Sequence, residues 1–178
     1  ALLRIDADSL NNSAGGTLAS QQNLVLRLKG DLLNQQDGLV FSERGSLDIQ
    51  AQALDNQAAS LKAQGNILLR LGDDLRNQGG RVDSVAGNLD IHSTHLNNSA
   101  GGMLNSSQGR LTLVSGLLDN NAGTLQAQTL DLEARDGLQN RKGFISALSG
   151  DNRIATATFD NQGGGLYAAG WLGVNAGQ

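Results

Sequence analysis

Leu118-Asp119-Asn120-Asn121-Ala122-Gly123-Thr124-Leu125-Gln126-Ala127-Gln128-Thr129-Leu130-Asp131-Leu132-Glu133 is the stretch from which the fold can be read. It runs L-x-N, a Gly-containing turn, L-x-A, a second turn, then L-x-L. The Leu-x-Asn step recurs at Leu10/Asn12, Leu32/Asn34, Leu54/Asn56, Leu75/Asn77, Leu96/Asn98, Leu118/Asn120 and Leu138/Asn140, and an eighth copy has Phe159/Asn161. Successive asparagines are roughly 20 to 22 residues apart, a period that signals a solenoid.

Each unit holds three short pieces with period-two alternation, separated by Gly, Asn, Ser or Gln, which is the pattern of strands between tight turns. Apolar residues at i and i+2 leave a strand on the same side. Three strands and three turns in about 21 residues make one coil of a right-handed parallel β-helix of the all-β class. Eight such coils at about 4.8 Å each give a rod on the order of 40 Å long. The seventh unit is the most irregular. Its Gly-Gly turn is replaced by Arg141-Lys142-Gly143, and its second turn reads as lengthened around Leu148–Asn152, so a local bulge is expected there.

Two other architectures compete. Leu47, Leu54, Leu61, Leu68, Leu75, Val82, Leu89 and Leu96 fall every seventh residue, as in a coiled coil. The companion apolar position is mostly missing, and Gly72, Gly79, Gly80 and Gly87 would each cost a helix about 1 kcal/mol. The seven is better explained as one third of the longer repeat. A leucine-rich repeat needs L-x-x-L-x-L ahead of its Asn, and the spacing here does not supply it consistently.

Composition agrees with a solenoid. The 178 residues include 24 Gly, no Pro and no Cys. Pro has no N–H to give a strand paired on both edges. Without Cys there is neither a disulfide nor a thiolate metal site. The net charge of −4 gives no general pull toward nucleic acid or anionic lipid, and only Lys29, Lys62 and Lys142 are lysines. No apolar run approaches the roughly 20 residues of a membrane span. The repeat is already running at the N-terminus, which lacks a signal-peptide pattern, and still running at the C-terminus. Residues 1–178 are therefore expected to be one β-helix segment of a much longer chain.

The recurring asparagines are expected to be structural. Asn tolerates left-handed backbone, bonds main chain at turns and forms ladders when stacked. His92 and His95 are too few for a metal centre, and His92 alternates outward from Ile91. Asp48, Asp90 and Asp131 lie between inward apolar residues and so point outward. A glycosidase requires two carboxylates roughly 5–10 Å apart. Asp48 and Asp90 are two coils apart with Leu68 between them, no consistent basic residue accompanies them, and no insertion builds a cleft wall. Lys29-Gly30-Asp31 and the sequons starting at Asn11, Asn97 and Asn105 fall in turns whose composition the repeat already explains. Tyr167 and Trp171 are either a small binding platform for a sugar or partner or, as the favoured reading, a contact for a following coil. With no Ser-His-Asp set, phosphate loop or dinucleotide fingerprint, the reading is non-enzymatic and without cofactor.

The aligned units give L-[DN]-N-x-x-G-x-L-x-A-x-G-x-L-x-L, which resembles the haemagglutinin repeat of the filamentous haemagglutinin family. Leu118 to Ala127 match it well, as do Phe159 to Leu166, and the resemblance covers essentially the whole chain. It implies a large bacterial exoprotein, secreted through an outer-membrane two-partner transporter to the cell surface. Such a protein serves as an adhesin, with a cell-surface receptor or glycan as partner, or as the stalk of a contact-dependent growth-inhibition toxin.

Overall fold

The computed structural model describes residues 1–177 as a parallel β-solenoid of about eight turns, with no helix among them. Twenty-one strands join in one network of parallel pairings. The first full coil sets the plan: Leu10–Asn11, then Thr17–Ser20, then Leu24–Leu28. These three strands begin faces one, two and three. Every pairing joins a strand to its counterpart one coil away, as when Leu24–Leu28 pairs with Leu47–Ala51 and that strand pairs with Ile67–Leu71.

Register turns the sequence period into columns. Leu32, Leu54, Leu75, Leu96, Leu118 and Leu138 stack on face one and are at most 1% exposed. Val40, Leu61, Val82, Leu104, Leu125 and Ile145 stack on face two and are fully buried. Face three contributes three inward positions, as in Leu47, Ile49 and Ala51 stacked on Ile67, Leu69 and Leu71. Aliphatic side chains from all three faces therefore fill the tube. Burying one contributes about 1.5–3 kcal/mol, which drives coil closure.

The third face begins earlier than the repeat suggests. Leu3–Ala7 is already a face-three strand, paired with Leu24–Leu28 from Leu3↔Leu24 to Ala7↔Leu28.

The seventh coil is also more regular than its sequence. Asn152 lies within the strand Asn152–Thr156, opposite Leu130 and Leu172, at the first inward position of face three. It is fully buried, and its Nδ2 donates to the Tyr167 carbonyl at 3.1 Å. The turn before it holds Leu148 to Asp151, two residues more than the Gln128–Thr129 corner of the sixth coil but the same length as Glu43 to Ser46 in the second. A polar residue in an apolar column made it read as turn.

Register breaks also fall between coils five and six, at Ser106/Arg110 and Ser115/Leu117, and the offset shifts by two between coils six and seven, from Ala127↔Ala147 to Leu130↔Asn152. Here strands Met103–Asp119 and Thr124–Gln139 run through two corners without interruption. Only Gln128 and Thr129 separate Ala127 from Leu130, whereas four residues separate Ser106 from Leu111. The pairing must slip where neighbouring coils differ in length.

Candidate functional site

The side chains of the eight recurrent asparagines meet end to end along one inner edge. Asn12 Nδ2 donates to Asn34 Oδ1 at 2.8 Å, and Asn34 does the same to Asn56. The chain continues through Asn77, Asn98 and Asn120 at 2.8 Å, then to Asn140 and Asn161 at 2.7 Å. Asn34 to Asn140 are fully buried. From Asn12 to Asn140 each Nδ2 also faces two carbonyls: for Asn98 these are Gly102 of its own turn at 3.2 Å and Thr124 of the next coil at 3.1 Å. One amide thus ties its turn, its neighbour's turn and its neighbour's amide.

The left-handed backbone is not at the asparagine. It lies two residues later in every coil, at Ala14, Gln36, Ala58, Gly79, Ala100, Ala122, Lys142 and Gly163, with φ between 49° and 65°. The Asn side chain is free to enter the core because the turn's reversal is made further on. In coils one, two and five a second left-handed residue follows (Gly15, Asp37, Gly101), lengthening the turn by one. The bond from Nδ2 then reaches the fourth residue on, as with Gly16, instead of the third, as with Ala59.

Smaller polar systems accompany this ladder. The residue before each ladder Asn often caps the turn: Asn11, Asp55, Asn97, Asp119 and Asp160 each accept the N–H two residues on. That gives a physical role to the [DN] of the repeat. At the corner before face three, side chains accept the N–H of the following coil. Asn23 serves Ser46, Ser46 serves Asn66, Asn66 serves Asn88, and Asn88 serves Arg110, at 2.8–3.1 Å. At the end of face two, buried Ser42, Ser84 and Ser106 donate to the carbonyls of Gln22, Gly65 and Gly87 in the preceding coil.

The outer surface carries the candidate chemistry. Asp48 is held between two arginines from adjacent coils: Arg27 Nη2 lies 2.6 Å from Asp48 Oδ2, and Arg70 Nη2 lies 3.0 Å from Asp48 Oδ1. The sequence reading found no consistent basic partner because the partners are diagonal. The residues in direct register with Asp48 are Val25 and Leu68, and Arg27 and Arg70 lie two further along those strands. Asp90 faces Leu68 and Thr112, and Asp131 faces Thr112 and Arg153.

His92 is exposed on face three, whereas His95 lies at the start of face one, so the two histidines belong to different faces. His95 Nδ1 is 2.9 Å from Asp74 Oδ1, and with Asp73 these residues offer ligand atoms within 4.8 Å of one another. They are the side chains that could hold a cation. Arg76, 3.8 Å from Asp74, opposes one. Lys29 pairs with Asp8 at 2.8 Å, both 86% exposed, rather than with its neighbour Asp31. Of the sequon asparagines, Asn105 is buried at 5% exposure, donating to Asp83 Oδ1.

Tyr167 and Trp171 are not brought together on one face. Tyr167 is on face two, in the strand Gly165–Ala168, and the turn at Ala169 and Gly170 separates it from Trp171. Tyr167 is in register with Ser146, and Phe144 on the same face pairs with Gly165, over which its ring lies. Trp171 lies beside face three, its ring over Gly173 and 5.7 Å from the Arg153 guanidinium carbon. Asp151 anchors this corner. It accepts the main-chain N–H of Trp171 at 2.9 Å and Arg153 Nη2 at 3.2 Å, and the first of these chiefly holds its carboxyl below the usual carboxylate range. The N–H of Gln162 and the Arg141 side chain do the same for Asp160.

No curated protein and no solved structure matches the chain. A family model described as the haemagglutinin repeat matches residues 2–40, 38–79, 84–142 and 147–178. Its span coincides with the coils, the asparagine ladder and the Leu columns, and this chain belongs to the haemagglutinin repeat family.

Proposed function

We propose that this segment is a rigid spacer, structural rather than catalytic, within a large secreted bacterial surface exoprotein. In this reading it holds adhesive or toxin regions away from the producing cell and toward a target cell. The observation that carries the reading is the unbroken column of Asn–Asn hydrogen bonds at 2.7–2.8 Å through all eight coils. It fixes the axial spacing at every step, so length is set by coil number.

The pairing pattern also suits delivery through an outer-membrane two-partner transporter, as the family suggests. Each strand bonds only to counterparts in adjacent coils. A coil can therefore add to a finished stack as chain emerges, without waiting for distant sequence. No helix among the described residues is long and apolar enough to cross a membrane.

The test is a length series. Variants with two coils removed and with two internal coils duplicated are measured by small-angle scattering and electron microscopy. The long dimension should change by about 4.8 Å per coil with constant cross-section. A length that does not follow coil number, or a rod that bends at random, would sink the spacer reading.

A further inference from the structure

His95 opens face one of the fifth coil in direct register with Asp74, which opens face one of the fourth. Its Nδ1 lies 2.9 Å from Asp74 Oδ1. Asp73 completes the group: an imidazole nitrogen and one oxygen from each carboxylate lie within 4.8 Å of one another. The two histidines of the sequence are too few to bind a metal by themselves. The further ligands come from the coil before, 21 residues from His95 in the case of Asp74, where only the register reveals them.

The main chain fixes this corner from both sides. The Thr94 N–H bonds the Asp73 carbonyl at 2.9 Å, Thr94 Oγ1 donates to the Gly72 carbonyl at 3.0 Å, and the Asp73 N–H bonds the Gln52 carbonyl at 2.7 Å. The side chains, by contrast, are open to a ligand. Asp73 is exposed, and no ion pair or side-chain hydrogen bond takes its carboxylate among the described residues. Arg76 lies 3.8 Å from Asp74 and 3.9 Å from Asp55, so its guanidinium can leave Asp74 and still keep an acid. Asp74 and His95 also line a groove of about 210 Å³, and in it Gln78 Oε1 is buried without a donor. Such an oxygen calls for an occupant with protons to give, as metal-bound water has.

We propose that Asp73, Asp74 and His95 form a zinc(II) site that clips the fourth coil to the fifth. Two atoms bound side by side at about 2.0–2.1 Å from one ion lie roughly 3 Å apart, the spacing that His95 Nδ1 and Asp74 Oδ1 already have. Asp73 adds its oxygen by a side-chain rotation, and water completes the shell. The donor set selects the ion. One imidazole with two carboxylates suits zinc, whereas calcium takes about six to eight oxygens and magnesium keeps most of its water. The two carboxylates balance the charge of the ion, and Arg76 retires to Asp55. The clip sits at the corner between faces three and one. The asparagine ladder runs at the corner after face one, so the ion ties a part of the coil that the ladder does not reach.

With only two histidines in the chain, the test can be read at single residues. The whole untagged chain is titrated with zinc sulfate by calorimetry, and both imidazole rings are followed by NMR. One ion per chain should bind with a micromolar constant, moving the ring signals of His95 and leaving those of His92 in place. Asp73→Ala and His95→Ala should each weaken binding about tenfold or more while keeping the wild-type circular dichroism spectrum. Arg76→Ala removes the opposing charge and should tighten binding. Calcium chloride should give no saturable heat. The proposal is overturned by the absence of saturable zinc binding, by unchanged affinity in His95→Ala, or by a response confined to His92. None of these results bears on the length series that tests the spacer reading.

Discussion

Asn98→Ala tests the ladder at its centre. The wild-type amide accepts from Asn77 Nδ2 at 2.8 Å and donates to Asn120 Oδ1 at 2.8 Å, Gly102 and Thr124. The two neighbours are affected unequally. Asn77 Nδ2 keeps the carbonyls of Gly80 and Met103 at 3.2 Å and stays satisfied. Asn120 Oδ1 has no other donor, so it becomes a buried acceptor without a partner, which costs about 1–3 kcal/mol. The two lost amide bonds add about 1 kcal/mol each. The expected destabilisation is about 3–5 kcal/mol. Asn161→Ala removes one rung at the half-exposed last coil and leaves no Asn Oδ1 stranded. It should cost about 1 kcal/mol. Urea unfolding of both variants, followed by circular dichroism, gives the comparison directly. The slope must be checked against wild type, because repeat proteins can lose two-state behaviour. Equal costs at the two sites, or a loss below about 0.5 kcal/mol for Asn98→Ala, would refute the reasoning that the amides act as a connected column.

Ala122→Gly relieves a left-handed alanine (φ 55°) at an exposed turn, where Gly79 and Gly163 stand naturally, and should raise stability by about 0.5 kcal/mol in the same urea assay. Asp48→Ala leaves Arg27 and Arg70 unpaired on a half-buried surface and should cost about 1–2 kcal/mol at low salt. The difference from wild type should shrink in 1 M NaCl, and a salt-independent loss would point to packing against Val25 and Leu68 instead. Asp151 and Asp160 have folded pKa values below the ordinary 3.8, so their contribution is complete above that value and lost as pH falls through the folded values. Double replacement by Asn should flatten the acid limb of stability below about pH 4. NMR titration should find both carboxyl midpoints under 3.8.

Much of the fold is legible because its signal is one residue type at one spacing. The Leu columns and the asparagines repeat in the chain as they repeat in space. The missed features lack one of those properties. Asn152 occupies an apolar column with a polar side chain, and Leu3–Ala7 precedes the first Asn by which units were counted. The corner that links Asn23, Ser46, Asn66 and Asn88 mixes residue types, so no letter marks it. The Arg27–Asp48–Arg70 arrangement joins residues 21 and 22 apart on a diagonal, which is invisible until the register between coils is known. Tyr167 and Trp171 show the reverse error. Four positions apart, the two look like neighbours, but a solenoid corner between them sends them to different faces.

The ladder also explains how such a rod can vary along its length without losing its pitch. The turn after the ladder Asn changes by one residue between coils, and the corner before face three holds from two residues to four. The Asn–Asn distance stays at 2.7–2.8 Å throughout, including across the register breaks between coils five and six. Perimeter is thus uncoupled from axial spacing. Extra residues are absorbed outward, where they lengthen turns, while the inner edge keeps one step per coil. A sequence can then change its outer surface, residue by residue and even in coil length, at little cost to the stack. That freedom is what a spacer requires if parts of its side are to acquire binding surfaces of their own.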